Sequence, residues 1–114
     1  MVNYVTTAKD AINRLKSCEY NYIYLDHDLS NAQMLWEEHN NGLLVAEWIV
    51  STRYGNPRTL NIIIHSYNLP RAKTMERVLT KAGYAAVCVP GAYYLIGWDY
   101  ERWLIIKGNI ENKK

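Results

Sequence analysis

Short apolar runs alternate along this chain with segments whose apolar residues recur at helical spacing. The runs that read as strands are residues 3–5, 20–26, 59–66 and 84–89, and they are rich in β-branched and aromatic side chains. Between them, apolar positions repeat at i, i+3, i+4 and i+7, which predicts three amphipathic helices. Strands and helices in alternation predict a mostly parallel sheet with helices on both faces, joined by right-handed crossovers. The expected fold class is a three-layer α/β sandwich of flavodoxin or receiver type.

Capping residues give the expected limits of the helices. Side chains that accept a hydrogen bond from the first helical turn favour N-caps, and glycine favours C-terminal ends. The predicted boundaries are Thr6 or Thr7 before the first helix, Asn40 or Asn41 and Gly55 around the second, and Asn68 and Gly83 around the third. Residues 91–108 fit two patterns: a hairpin, or one strand followed by a short helix from Asp99.

Length and composition predict one domain over residues 1–114, with residues 91–114 as a divergent C-terminal extension. The chain is 49% hydrophobic and 21% charged, which is typical of a globular protein. No apolar run approaches the roughly 20 residues of a membrane span, and no leader pattern is visible, so we expect a cytoplasmic protein that does not bind membranes. A net charge of +2 is too small to predict duplex DNA as a partner, but it allows a small anionic ligand.

Polar residues follow two of the predicted strands. Asp26, His27 and Asp28 come after the second strand, and His65 and Ser66 end the third. In open parallel sheets, ligands bind outside the carboxyl ends of the strands. If these strands are parallel, both polar clusters emerge at the same edge of the sheet and can form one site.

The segment after His65 has the features of an anion site. The first N–H groups of a helix have no partners within it, and the helix dipole favours a negative charge there. Arg71 and Lys73 add positive charge. The predicted ligand-binding residues are Ser66, Tyr67, Asn68, Arg71 and Trp36. Trp36 belongs to the long polar stretch 27–40, where it either covers a base as a lid residue or plugs the loop.

Two histidines near a phosphate can act as general base and general acid at neutral pH. His27 and His65 are the catalytic candidates, with Asp26 and Asp28 as carboxylates that orient an imidazole. Each has an ordinary structural alternative: Asp28 as a turn cap, His27 as a solvated loop residue and His65 as a buried structural histidine. We expect no cofactor, although Asp26 and Asp28 are also candidate ligands for Mg²⁺. His39 is expected at the surface.

The motifs LDHDL (residues 25–29) and IHSYNLPRAKTMERVL (residues 64–79) resemble those of the cyclic-phosphate-processing receiver-like domains, a small family of bacteria and phages. The family pattern is a strand ending in LDHDL, a glycine that opens a helix, and a strand ending in HSxN before a helix with a methionine. The resemblance covers residues 4–82. The matching residues are Asp26, His27, Asp28, Gly42, His65, Ser66, Asn68 and Met75.

This resemblance implies the processing of cyclic phosphates, at RNA ends or in signalling nucleotides. The expected function is therefore binding and hydrolysis of a cyclic phosphate or cyclic oligonucleotide, in a phage setting as a defence against a host signal. The alternatives are a protein that sequesters such a nucleotide and a purely structural module. Family members usually begin with a strand that ends in an acidic pair, and this sequence starts after that point, which weighs against a metal-assisted mechanism. The segment 91–114 would supply either a replacement strand or a homo-oligomer contact.

Overall fold

A computed structural model describes residues 2–27, 29, 41–65, 69–89 and 103–106. These ranges contain five strands and three helices. In chain order the elements are β1 (Val2–Val5), α1 (Ala8–Ser17), β2 (Tyr22–Leu25), α2 (Gly42–Thr52), β3 (Asn61–Ile64), α3 (Leu69–Lys81), β4 (Ala85–Cys88) and β5 (Trp103–Ile106). The four strands and three helices predicted from hydrophobic spacing are confirmed.

The strands form one parallel sheet in the order β1-β5-β2-β3-β4. This confirms the predicted parallel α/β class. The strand that the sequence left ambiguous, β5, lies between β1 and β2 and is bonded to both. A helix running from Asp99 into this segment is therefore wrong, because residues 103–106 are extended. The boundary of a C-terminal extension at residue 91 stays a prediction.

The three helices pack on the same face of the sheet. Right-handed crossovers that move in one direction across a sheet place their helices on one side, and the path from β1 through β2 and β3 to β4 moves in one direction. Alternate residues of the strands meet these helices in one continuous core. The largest contributors from the sheet are Ile23, Leu25, Ile62, Ile64, Leu104 and Ile106. Each fully buried aliphatic side chain of this kind contributes about 1.5–3 kcal/mol.

The opposite face of the sheet has a smaller apolar cluster of its own. Tyr24 and Ile105 are buried at its centre, and Tyr22 and Ile63 pack against them. The five-stranded sheet with one described helical layer is compatible with the predicted three-layer sandwich, and a helical layer on the second face stays a prediction. No helix among the described residues is long and apolar enough to cross a membrane. The cytoplasmic location stays a prediction.

Side-chain caps begin the first two helices. The hydroxyl of Thr7 accepts a hydrogen bond from the Asp10 N–H at 3.1 Å, and the Asn41 side chain accepts one from the Leu44 N–H at 3.1 Å. Both cap residues are extended, as expected for an N-cap. The structure thus selects Thr7 and Asn41 from the two predicted pairs. The predicted cap of α3, Asn68, falls outside the ranges described.

The C-terminal end of α2 differs from its prediction. The helix ends at Thr52, and Arg53 takes the left-handed conformation with φ 58°. Its N–H donates to the carbonyls of Ile49 and Val50, the bonding that usually accompanies a glycine at this position. Gly55 has φ 67° but serves the turn two residues later, so its assignment as the helix stop is wrong. Gly83, with φ 96°, follows the end of α3 as predicted.

Tyrosine hydroxyls connect the elements at the amino-terminal edge of the sheet. The Tyr54 hydroxyl donates to the Cys18 carbonyl at 2.8 Å and accepts from the Tyr20 N–H at 3.1 Å. The Tyr20 hydroxyl donates to Asn3 at 2.6 Å, and that of Tyr84 donates to the Tyr54 carbonyl at 2.8 Å. A cavity of about 640 Å³ opens among these residues, at the edge opposite the predicted site.

The Tyr20 hydroxyl is expected to make the free energy of unfolding depend on pH in the alkaline range. Burial, reinforced by the neighbouring Cys18, raises the pKa of Tyr20 from 10.0 to about 12. Between these values the unfolded chain loses a proton that the folded protein keeps, so the free energy of unfolding should fall as pH rises from 10 to 12. We expect urea denaturation to show this decline in the wild type and a shallower one in Tyr20→Phe.

Tyr84 serves as the internal reference for this measurement. Burial also raises the pKa of Tyr84, and this residue is unchanged in Tyr20→Phe, so part of the decline should persist. Equal slopes for the wild type and Tyr20→Phe over this pH range would contradict the prediction.

Candidate functional site

The carboxyl ends of the central strands meet at one edge of the sheet. The strands β2, β3 and β5 end in register, at Leu25, Ile64 and Ile106 respectively. The ladder continues beyond them: the Asp26 N–H donates to the Ile106 carbonyl at 2.9 Å, and the His65 N–H donates to the Leu25 carbonyl at 2.9 Å. The structure therefore brings the backbone of the two motif segments together, as the sequence predicted.

His65 is oriented by a neighbouring aromatic ring. Its side chain is 2% exposed. The imidazole lies 5.5 Å from the Tyr24 ring, between centroids, with the planes inclined by 31°. Tyr24 belongs to the sheet face opposite the three helices. The His65 imidazole therefore lies towards the face opposite the helices. Tyr24 was not identified from the sequence as a residue that contacts His65.

His27 is held from the other side of the sheet. It too is 2% exposed, and its carbonyl accepts a hydrogen bond from the Gly42 N–H at 2.8 Å. Gly42 is the first residue of α2, which packs on the helix-bearing face. The segments that carry the two histidines are thus anchored on opposite sides of the end of β2. Whether their imidazoles act on one ligand stays a prediction.

Close packing at Gly42 brings α2 against the backbone of Asp26, at the end of β2. A Cβ atom at Gly42 would lie 2.1 Å from the Asp26 carbonyl oxygen and 2.9 Å from the Met75 Cε atom. The Asp26 contact is with backbone, which cannot move aside as a flexible side chain can. Only glycine permits α2 to approach so near, and Asn41 caps the helix at the same point. The sequence contained Gly42 as a motif match, but its role required knowing which backbone lies opposite.

Replacing Gly42 by alanine should destabilise the fold by about 2–3 kcal/mol, because backbone must move to admit the methyl group. Gly83→Ala is the matched control. A Cβ there meets no atom within 4 Å, so its cost is the conformational strain of φ 96° alone, about 1–2 kcal/mol. The measurement is the free energy of unfolding in urea. If Gly42→Ala cost less than Gly83→Ala, the close approach would not be constraining.

Arg71 is the one predicted ligand-binding residue within the described ranges. It lies in the first turn of α3, and its side chain is exposed. Lys73 nearby forms a 3.5 Å ion pair with Glu76, which partly neutralises its charge. The other predicted site residues, Asp28, Trp36, Ser66, Tyr67 and Asn68, and the predicted surface residue His39, lie outside the described ranges.

The described residues contain no group of three or more His, Cys, Asp or Glu side chains placed to hold a metal ion. Asp26 is within these ranges and Asp28 is not, so the carboxylate pair predicted for Mg²⁺ is only half described. The expectation of a metal-independent site stays a prediction.

A parallel sheet whose central strands lead into polar residues at their carboxyl ends defines an α/β protein of the class in which ligands commonly bind at that edge. The family model described as the cyclic-phosphate processing receiver domain matches residues 1–81. The chain therefore belongs to this family, which confirms the resemblance drawn from the LDHDL and HSxN motifs. No curated protein and no solved structure matches the chain. The family match ends before β4 and β5.

Proposed function

We propose that the protein binds a cyclic phosphate or cyclic oligonucleotide at the carboxyl edge of the sheet and hydrolyses one of its phosphodiester bonds. The observation that carries this proposal is the junction of Asp26 and His27 with His65 at the ends of two adjacent strands. Membership of a family described as processing cyclic phosphates supports the same substrate class.

The chemistry of this site requires one proton acceptor and one proton donor. In our proposal, a base takes a proton from the attacking water, which forms a new P–O bond as the phosphodiester P–O bond breaks. An acid then protonates the departing oxygen. His27 and His65 are the candidates for these two roles. Asp26 and Asp28 would hold an imidazole in the orientation and tautomer that the transfer needs.

The ligand phosphate would bind beside the N-terminal end of α3. The first N–H groups of this helix and its dipole favour an anion. Arg71 supplies a positive charge in the first helical turn. We include Ser66, Tyr67 and Asn68 in this part of the site because they connect His65 to the helix. Trp36 would cover a nucleotide base by stacking on its flat face.

The test is incubation of the protein with a panel of cyclic dinucleotides, cyclic oligonucleotides and 2′,3′-cyclic phosphates, followed by product analysis. We expect more than one equivalent of linear product per protein from at least one member of the panel. Addition of a chelator should not abolish turnover if the histidines act without a metal. Failure to turn over any member would contradict the hydrolytic proposal.

Sequestration of the same ligand is the second candidate. The observation that favours it is that His27 and His65 are each only 2% exposed, because a group that exchanges protons with a reacting phosphate must reach it. A sequestering protein would protect the ligand, which would be recovered intact after heating the complex. Either activity would lower a free signalling nucleotide, as expected of a cytoplasmic phage protein that counters a host signal.

A further inference from the structure

Basic side chains are concentrated on α3. This helix carries four Lys or Arg residues and one Glu, hence a net charge of +3, whereas the whole chain has a net charge of +2. All the other residues together are therefore slightly acidic. A charge that is collected on one element favours a surface that meets an anionic partner over an evenly solvated one.

Three of these cations form one line on the exposed side of the helix. Lys73, Arg77 and Lys81 follow one another at intervals of four residues, so they lie on the same face, and all three are exposed. The opposite side of α3 enters the core with Ala72, Met75 and Leu79. We call the line formed by Lys73, Arg77 and Lys81 the α3 stripe.

The spacing within the α3 stripe is unfavourable for the helix itself. Like charges four residues apart repel each other and slightly destabilise a helix, and the stripe contains two such pairs. Glu76, 3.5 Å from the Lys73 ammonium, compensates only the first cation. Arg77 and Lys81 form no ion pair with the described part of the chain. The stability of α3 therefore does not account for Arg77, whereas a bound polyanion would relieve the repulsion.

We propose that the α3 stripe binds the phosphate backbone of a single-stranded nucleic acid. Its members are separated by about 6 Å along the helix axis, which is comparable to the distance between neighbouring phosphates of an extended single strand. Leu69, 50% exposed in the first turn, offers an apolar surface to a base. This inference takes its ligand class from the proposed function, but it concerns binding alone and does not require turnover.

The direction of α3 connects the stripe with the carboxyl-edge site. Because β3 and β4 are parallel, the helix that joins them runs from the carboxyl edge back to the amino-terminal edge of the sheet. Its first turn, with Arg71, lies nearest the proposed phosphate position, and its 13 residues extend about 20 Å from there. A strand whose end occupies the carboxyl-edge site would place its preceding phosphates along the stripe.

The experiment measures binding of a fluorescein-labelled oligouridylate of about ten nucleotides by fluorescence anisotropy at several salt concentrations. The test variant combines Arg77→Gln with Lys81→Gln. Its matched control combines Lys9→Gln with Lys16→Gln, which removes the same charge from exposed positions of α1. We expect the test variant to lose at least about tenfold in affinity, with a salt slope reduced by about 0.7 for each cation removed, and the control to bind as the wild type does.

The outcomes separate this inference from the hydrolytic proposal. A loss of affinity in a test variant that is at least as stable as the wild type in urea supports the inference, even if the cyclic-phosphate panel shows no turnover. A less stable test variant would contradict the repulsion within the stripe and overturn the inference. Absence of wild-type binding, or an equal loss in the α1 control, also overturns it and leaves the hydrolytic proposal intact. Equal competition by polyglutamate would overturn it in favour of an acidic protein partner.

Discussion

Replacing Leu104 by alanine is expected to lower the free energy of unfolding by about 2–5 kcal/mol, the range for deleting a large buried aliphatic side chain. Leu104 is 0% exposed and lies in β5, where it contacts the core that the helices cover. The loss combines the burial free energy of the deleted side-chain atoms with the cost of the cavity left in the core between the sheet and the helices. Urea denaturation, followed by circular dichroism, measures it.

Val87→Ala is the control for this prediction. Val87 is also a strand residue, but it is 48% exposed in the edge strand β4, so its truncation should change stability by less than about 0.5–1 kcal/mol. A chain ending before Trp103 should lose more than Leu104→Ala does, because both β1 and β2 lose the strand to which they are bonded. A small effect of Leu104→Ala, equal to that of Val87→Ala, would show that β5 is not packed between β1 and β2.

Removing the imidazole of His65 should reduce turnover of a cyclic phosphate by about 100- to 10,000-fold, the usual contribution of a general acid or base. Since its side chain is buried against Tyr24, His65→Gln is the preferred variant, because glutamine fills more of the space than alanine. His39→Ala is the control and should leave turnover unchanged. The measurement is kcat on the panel member that the wild type hydrolyses fastest.

Thermal unfolding of His65→Gln should accompany the rate measurement, so that a folding defect is recognised. Full activity in His65→Ala would exclude a role for this residue in the reaction. The combination with His27→Gln is informative in its own right. If both histidines serve one reaction, the double variant should be little slower than the slower single variant, because residues that act as a unit are not additive. Multiplying losses would indicate separate roles.

Much of this fold could be predicted from local patterns. Hydrophobic periodicity alone identifies the helix that contains Ala8, Ala11 and Leu15, and the β-branched run that ends at Ile64. The meeting of the two polar segments followed from the rule that parallel strands end together. These inferences succeeded because the information lies within a few residues or in the topology that alternation implies.

Features that depend on distant neighbours could not be obtained in this way. The four residues of β5 are an apolar run that fits several structures, and their place between β1 and β2 is decided by pairing across the sequence. The requirement for Gly42 exists only because the Asp26 carbonyl lies opposite. Arg53 was missed for a different reason: Gly55 was the more favourable candidate for a left-handed residue, but the helix ends at Thr52, so Arg53 takes the left-handed position that closes it.

The position of β5 also sets the order in which the sheet can assemble during synthesis. A ribosome delivers about 5–20 residues each second, and β2, β3 and β4 can pair as soon as they emerge. By contrast, β1 appears first but finds its strand partner only when β5 follows, almost the whole sequence later. Until then, the open sides of β1 and β2 are exposed strand edges, which favour association with other chains. We expect the nascent protein to need protection during this interval and to complete the carboxyl edge of its sheet as the last step of folding.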